Sequence, residues 1–127
     1  MKTRRIFLIG LAALVLISAS CYRRYGYHLY PDTPRFSPTD PQRVALLRNE
    51  PRREHVRLGE VWIRPEPWDD RFYVEGALRE NAAALGADAL VIVADRHFRE
   101  GTAFSYWRGP RPVYERQIVG VAIRYRR

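Results

Sequence analysis

Residues 69–94 of this chain, DDRFYVEGALRENAAALGADALVIVA, admit few folds: a helical repeat stops at a glycine and gives way at once to an apolar run of strand length. Val74, Ala77, Leu78, Ala82 and Leu85 recur at three- and four-residue spacings and so share one helical face, with Glu75, Arg79 and Glu80 opposite. That pattern predicts a helix packed on one side. Asp69 or Asp70 can accept a hydrogen bond from a free N–H of the first turn, and a carboxylate there suits the positive end of the helix dipole. Gly86 follows the last apolar position, where a left-handed residue closes a helix without the clash a Cβ brings. Leu78 is therefore expected in the core and Gly86 at the stop. Asp88 is expected to bond backbone N–H groups of the turn that follows. Residues 89–94 then form a continuous, β-branched apolar run, which predicts a strand covered on both faces.

The remaining strands are read around that unit. Residues 43–47 (RVALL) give a first strand, ended by Asn49, Glu50 and Pro51, and Val56, Leu58, Val61, Trp62 and Ile63 a second. Alternation slips across Gly59 and Glu60 in the second, which predicts a bulge or bend. The path from this strand to the helix is short. The helix should therefore lie back across the sheet, and the strand at Ala89 should pair parallel to a strand on the other side of it. Residues 117–126 alternate, with Val119, Val121, Ile123 and Tyr125 on one face and Gly120, Ala122 and Arg124 on the other, predicting a final strand antiparallel to the one at Ala89. The expected fold class is α+β: a single small domain over residues 43–127, with a mixed β-sheet of about four to five strands packed on one main α-helix.

The N-terminus carries export information. Lys2, Arg4 and Arg5 precede an apolar run at residues 6–17, and Ser18, Ala19 and Ser20 then supply small side chains just before Cys21. This is the pattern of a secretory signal peptide over residues 1–20, and its apolar run is short of the roughly 20 residues a helix needs to cross a bilayer. Cys21 is the only cysteine and stands where a bacterial lipoprotein carries its lipid; residues 17–21, ISASC, resemble a lipobox, with Ser18 in place of the usual leucine. The expectation is a chain exported and lipid-anchored at Cys21, with a soluble periplasmic protein as the alternative. Tyr22, where inner-membrane-retained lipoproteins carry Asp, favours the outer membrane, facing the periplasm. Residues 21–42, with four tyrosines followed by four prolines, show no apolar period and read as a tether that lifts the domain from the membrane, either alone or with its aromatic start resting in the lipid interface.

Beyond the leader every cation is Arg, and of the chain's formal charge of +8, three units (Lys2, Arg4 and Arg5) belong to the leader. No disulfide can form within a chain of one cysteine, so stability rests on packing. A search for chemistry returns little. His28, His55 and His97 are scattered and lack the spacing of a metal site; Ser105 and Ser37 have no nucleophile motif around them, and Cys21 is expected to be acylated. Asp69 and Asp70 read as caps, and no phosphate-binding glycine loop exists. No catalytic residue, metal ligand or cofactor is therefore assigned.

The binding material lies in the long connection between the last two strands. Arg96, Arg99, Arg108 and Arg111 are interleaved with Phe98, Phe104, Tyr106 and Trp107, a mixture of cations and flat apolar surfaces suited to anionic or sugar-bearing partners. The stretch is expected to form a β-ribbon turning at residues 108–112, and either presents these groups to a partner or packs its aromatics over the sheet as a satellite core. An exported domain points to lipid head groups, anionic glycan or an envelope protein rather than nucleic acid.

The segments VALL at 44–47, LGEV at 58–61 and LRENAAALGADALVI at 78–92 resemble small bacterial domains of the YbjQ-like heavy-metal-binding group, and are similar to the periplasmic domain of the Rcs stress-sensing lipoprotein. The resemblance covers about half of the chain beyond the leader and implies the strand, helix, Gly-Ala-Asp-Ala and buried-strand order. It does not carry metal binding, because cysteines for a soft metal are missing, nor the sensor's disulfides. The function expected is that of a bacterial envelope lipoprotein acting as a non-enzymatic binding or assembly module, able to form a homo-oligomer through its sheet edges. The alternative is a sensor of envelope stress that acts through a protein partner.

Overall fold

A computed structural model describes residues 23–127. The leader and Cys21 lie outside the described residues, and with them the expectations of cleavage and lipidation. Five strands are present, β1 (Tyr25–Leu29), β2 (Ala45–Leu47), β3 (His55–Ile63), β4 (Ala89–Ser105) and β5 (Gly109–Tyr125), with the helix α1 (Arg71–Ala84) between β3 and β4. They form one mixed sheet in the order β1-β3-β5-β4-β2. β2 and β4 run parallel, Ala45 opposite Ala89, and every other pair is antiparallel. The fold is a single small α+β domain.

Asp70 caps α1, its Oδ1 accepting from the Tyr73 N–H at 2.7 Å. Asp69 acts elsewhere: its Oδ2 accepts from the Glu66 N–H at 2.8 Å and from the Arg24 guanidinium at 3.0 Å, which fastens the entering chain to the start of the helix. At the other end Gly86 takes φ +80°, and a Cβ there would lie 2.6 Å from Cβ of Phe36. Val74, Ala77, Leu78, Ala82, Ala83 and Leu85 turn inward onto Val44, Leu58, Val61, Ile63, Leu90, Ile118 and Ala122. The expected bulge occurs in the β3/β5 ladder between Arg57 and Gly59.

Four expectations are corrected. Residues 23–42 are not a tether. β1 pairs with β3 along the sheet edge, and the proline-rich segment caps α1: the Thr39 N–H donates to the Ala83 carbonyl at 2.9 Å and the Thr39 hydroxyl to that of Ala87 at 2.7 Å. Last-turn carbonyls of a helix need such outside donors, and an irregular segment supplies them without any apolar period. Next, the strand at Ala89 is covered on both faces only as far as Val91; a bulge between Ile92 and Ala94 leaves Val93 58% exposed, and β4 runs on to Ser105. Asp88 reaches across the sheet rather than into its own turn, its Oδ2 accepting from the Tyr125 N–H at 3.0 Å, so its role is structural with a different partner. Finally, the turn between the last strands lies at residues 106–108, ahead of the expected 108–112.

On β5 the helix packs on the Ile118, Gly120 and Ala122 side. The richer apolar row, Val121, Ile123 and Tyr125, lies on the open face with Leu47, Ala89 and Val91. Small residues under the helix let it approach the sheet closely: Gly120 leaves room for Leu90, whose side chain a Cβ there would meet at 2.7 Å.

Candidate functional site

β4 and β5 are each 17 residues long, far longer than the strands beside them. β2 leaves β4 after Val91, and β3 leaves β5 at Ile118. Past Asp95 and Ile118 the two strands pair only with each other, out to Ser105 opposite Gly109, with a bulge between Arg99 and Gly101. At about 3.3 Å per residue, the ten steps from Asp95 to Ser105 make a two-stranded arm about 33 Å long.

The sequence accounts for the arm locally. Phe98, Thr102, Phe104, Val113 and Tyr114 are residues that favour strands. Gly109, at φ +68°, supplies the left-handed residue that closes a three-residue hairpin loop. Pro110 and Pro112, read from sequence as turn residues, sit within β5 opposite Phe104 and Thr102. A strand tolerates proline where its missing N–H faces an unpaired edge, and the outer side of β5 is unpaired here.

The distal end is bare. Phe104 is 82% exposed, Tyr106 93% and Trp107 89%. The Tyr106 and Trp107 rings meet edge to face at 5.1 Å. The satellite-core arrangement is therefore not what these aromatics adopt. Arg99 donates to Oγ1 of Thr102 at 3.1 Å, and among the described residues neither it nor Arg96, Arg108 or Arg111 is paired with a carboxylate. Of the residues singled out in the sequence, Phe104, Tyr106, Trp107, Arg108 and Arg111 come together at the tip. Arg99 stands partway along the arm, and Arg96, opposite Gln117, stands at its root.

The root holds what sequence reasoning missed. Arg116 clasps Asp95 with two hydrogen bonds, Nε to Oδ1 at 2.8 Å and a terminal nitrogen to Oδ2 at 2.7 Å. These bonds hold the Asp95 carboxyl below its ordinary range, against the opposing effect of partial burial. Beside this pair a cleft of about 460 Å³ opens between α1, the end of β2 and the arm. Leu46, Val74, Leu78, Ile92 and Ile118 line it together with Arg48, Arg71, Glu75 and Asp95. Its carboxylates are already engaged: Glu75 accepts from Arg71 at 2.6 Å and Asp69 from Arg24. No lining side chain is a hydroxyl, a thiol or an imidazole, so what the cleft offers is shape and charge. A register jump of more than twenty residues joins Asp95 to Arg116, and nothing local announces it. Trp68, between Pro67 and Asp69, is a surface aromatic, 77% exposed, and its place beside a proline is the signal the sequence offers for it.

Among the described residues no three His, Cys, Asp or Glu side chains converge as metal ligands. His55 is instead held at the far end of the sheet, Nδ1 2.6 Å from the Arg53 carbonyl and Nε2 3.0 Å from Oε1 of Glu50. Both ring nitrogens face acceptors, which favours the doubly protonated ring; the Arg53 carbonyl first and Glu50 second raise its pKa. Among the described residues no helix is long and apolar enough to cross a membrane. Comparison with known protein families, curated proteins and solved structures gives no match.

Proposed function

We propose that this chain is a non-enzymatic binding or assembly module of the bacterial envelope, exported by its leader, anchored through a lipid on Cys21 in the outer membrane facing the periplasm, and making its contact through the β4/β5 arm. One observation carries the reading: Phe104, Tyr106 and Trp107 stand uncovered at the end of an arm on which Arg96, Arg99, Arg108 and Arg111 have no carboxylate partner among the described residues. Exposing three large aromatics side by side gains nothing for the fold, and clustered exposed apolar surface marks interaction sites. The resemblance of residues 44–92 to YbjQ-like and Rcs-type domains implies a strand, helix and strand order and brings no metal or sensor chemistry with it.

A photo-reactive amino acid placed at Trp107 tests this in cells. The expected outcome is an adduct formed from the tip and absent when the same group replaces Glu54 at the other end of the sheet. Equal labelling from both positions removes the arm as the contact. An adduct with a signalling protein turns the reading toward a sensor. Cys21→Ser is expected to abolish incorporation of labelled fatty acid and to release the domain into the soluble fraction.

A further inference from the structure

The arm and the chain's entry point share one end of the sheet. Tyr25 opens β1 opposite Ile63, Ile63 pairs with Ile118, and Ile118 pairs with Asp95, where the arm leaves the body. The entry point is fixed there: Arg24 donates to Asp69 at 3.0 Å and to the Tyr73 hydroxyl at 3.1 Å, and its carbonyl accepts from the Arg64 N–H at 2.7 Å. Two further exposed aromatics, Trp68 and Phe72, stand in the loop and first turn that flank this entry. The opposite end, where His55, Glu50 and Arg57 meet, shows no comparable aromatic group among the exposed large side chains.

We infer that the arm's partner is the bilayer that carries the anchor, and that the arm lies along this anionic surface with Phe104, Tyr106 and Trp107 in its interfacial layer. The inference rests on the arm being the contact surface and on Cys21 being acylated. Reach argues for it. Tyr25 stands four positions after Cys21, a span of at most about 14 Å, whereas the arm extends about 33 Å from the same end of the sheet. With Cys21 at the bilayer, an arm held along the membrane normal drives Arg108 and Arg111 into hydrocarbon, where a cation is costly. Lying closer to the membrane plane, the arm keeps them at the phosphates.

Composition agrees. Tyrosine and tryptophan favour the interface between water and lipid, and arginine makes forked hydrogen bonds to phosphate. Paired residues of a ladder share a face, so Phe104 with Pro110 and Arg99 with Tyr114 lie on one face of the ribbon and Arg111 with Ala103 on the other. A protein partner has no such tie to the place where the chain enters.

The test uses the full acylated chain reconstituted in vesicles of phosphatidylethanolamine and phosphatidylglycerol. With Cys21 acylated, a cysteine introduced as Phe104→Cys or Glu54→Cys is the only free thiol and accepts an environment-sensitive fluorophore. The fluorophore at 104 is expected to shift to the blue and to be quenched several-fold more strongly than that at 54 by lipids spin-labelled high on the acyl chain. Replacing Arg99, Arg108 and Arg111 by Gln, or replacing the anionic lipid by phosphatidylcholine, is expected to weaken the quenching at 104. Equal exposure of both fluorophores to water overturns the inference. If the photo-reactive group at Trp107 still gives a protein adduct in cells, that failure leaves the arm as the contact and removes only the bilayer; loss of both signals removes both.

Discussion

Leu90 and Phe104 belong to the same strand and meet opposite fates. Leu90, fully buried, lies between α1 and Gly120; Phe104 is 82% exposed beside a proline. Both halves of β4 pair with β5 in one ladder, so backbone pairing does not distinguish them. The difference is what lies on the faces. In the body α1 covers one face and the Leu47, Val91 and Ile123 cluster occupies the other; in the arm neither exists. A ribbon can thus be continuous in hydrogen bonding and discontinuous in stability, and its two ends serve different purposes.

The strongest way to break this comparison is at Leu90. Leu90→Ala should destabilise the domain by about 2–5 kcal/mol in denaturant unfolding, because a fully buried side chain leaves a cavity. Gly86→Ala comes next. It loses the left-handed φ that glycine tolerates and drives a Cβ against Phe36, so a cost above about 1 kcal/mol is expected. A neutral result there would mean that residues 36–39 do not hold the helix end.

How much of this was legible follows the same division. The body was readable because burial writes a period into the sequence: Val74, Ala77, Leu78 and Ala82 mark the helix, Gly86 its stop, and residues 117–126 their strand. β1 was not: Tyr25, Tyr27 and Leu29 alternate, but over only five residues that include Gly26 and leave both tyrosines half exposed, and the prolines beyond Leu29 point to a free chain. Phe36, packed against Gly86, and Thr39, through its two hydrogen bonds, act by point contacts that have no period at all. In the arm the ribbon was foreseen, but its turn was placed at the prolines. Turn position there depends on Gly109 adopting a positive φ, and Pro110 and Pro112 are compatible with turn or edge alike. The tip residues were identified by composition; that they stand bare required knowing that no other element reaches them.

Proton linkage sharpens the contrast more gently, with opposite signs at the two ends. Asp95 ties the root of the arm to Arg116, and its pKa is depressed by those hydrogen bonds. Its contribution is therefore present above the unfolded value near 3.9 and lost as pH falls through the folded one. His55, at the other end, has a raised pKa, so its contribution is complete below about 6.5 and is lost as pH rises through the folded value. Hydrogen exchange should show the amides of Arg96 and Gln117 opening in acid while those around His55 loosen as pH rises through its raised pKa. Asp95→Asn should remove the first response at a cost of about 1 kcal/mol or less, as expected of a partly exposed ion pair. A uniform pH response at both ends would mean that the arm root and the body titrate as one unit.

The smallest expected effect on stability tests the comparison most directly. Phe98 and Glu115 are partners in the ladder at the start of the arm. Replacing residues 99–114 by Asn-Gly joins them through a two-residue turn whose twist matches a hairpin. Every body contact of α1, β1, β2 and β3 survives this change, as do Asp95 and Arg116, so unfolding free energy should move by no more than about 0.5 kcal/mol, the range of surface substitutions. Trp107→Ala, which removes an 89% exposed side chain, should fall in the same range. Crosslinking from the remaining end of the hairpin and lipid quenching should both disappear in the shortened protein while its melting profile stays that of the parent. A shortened chain that melts well below the parent would show that the arm folds cooperatively with the body, and exposure of its aromatics would then need a structural explanation rather than a functional one.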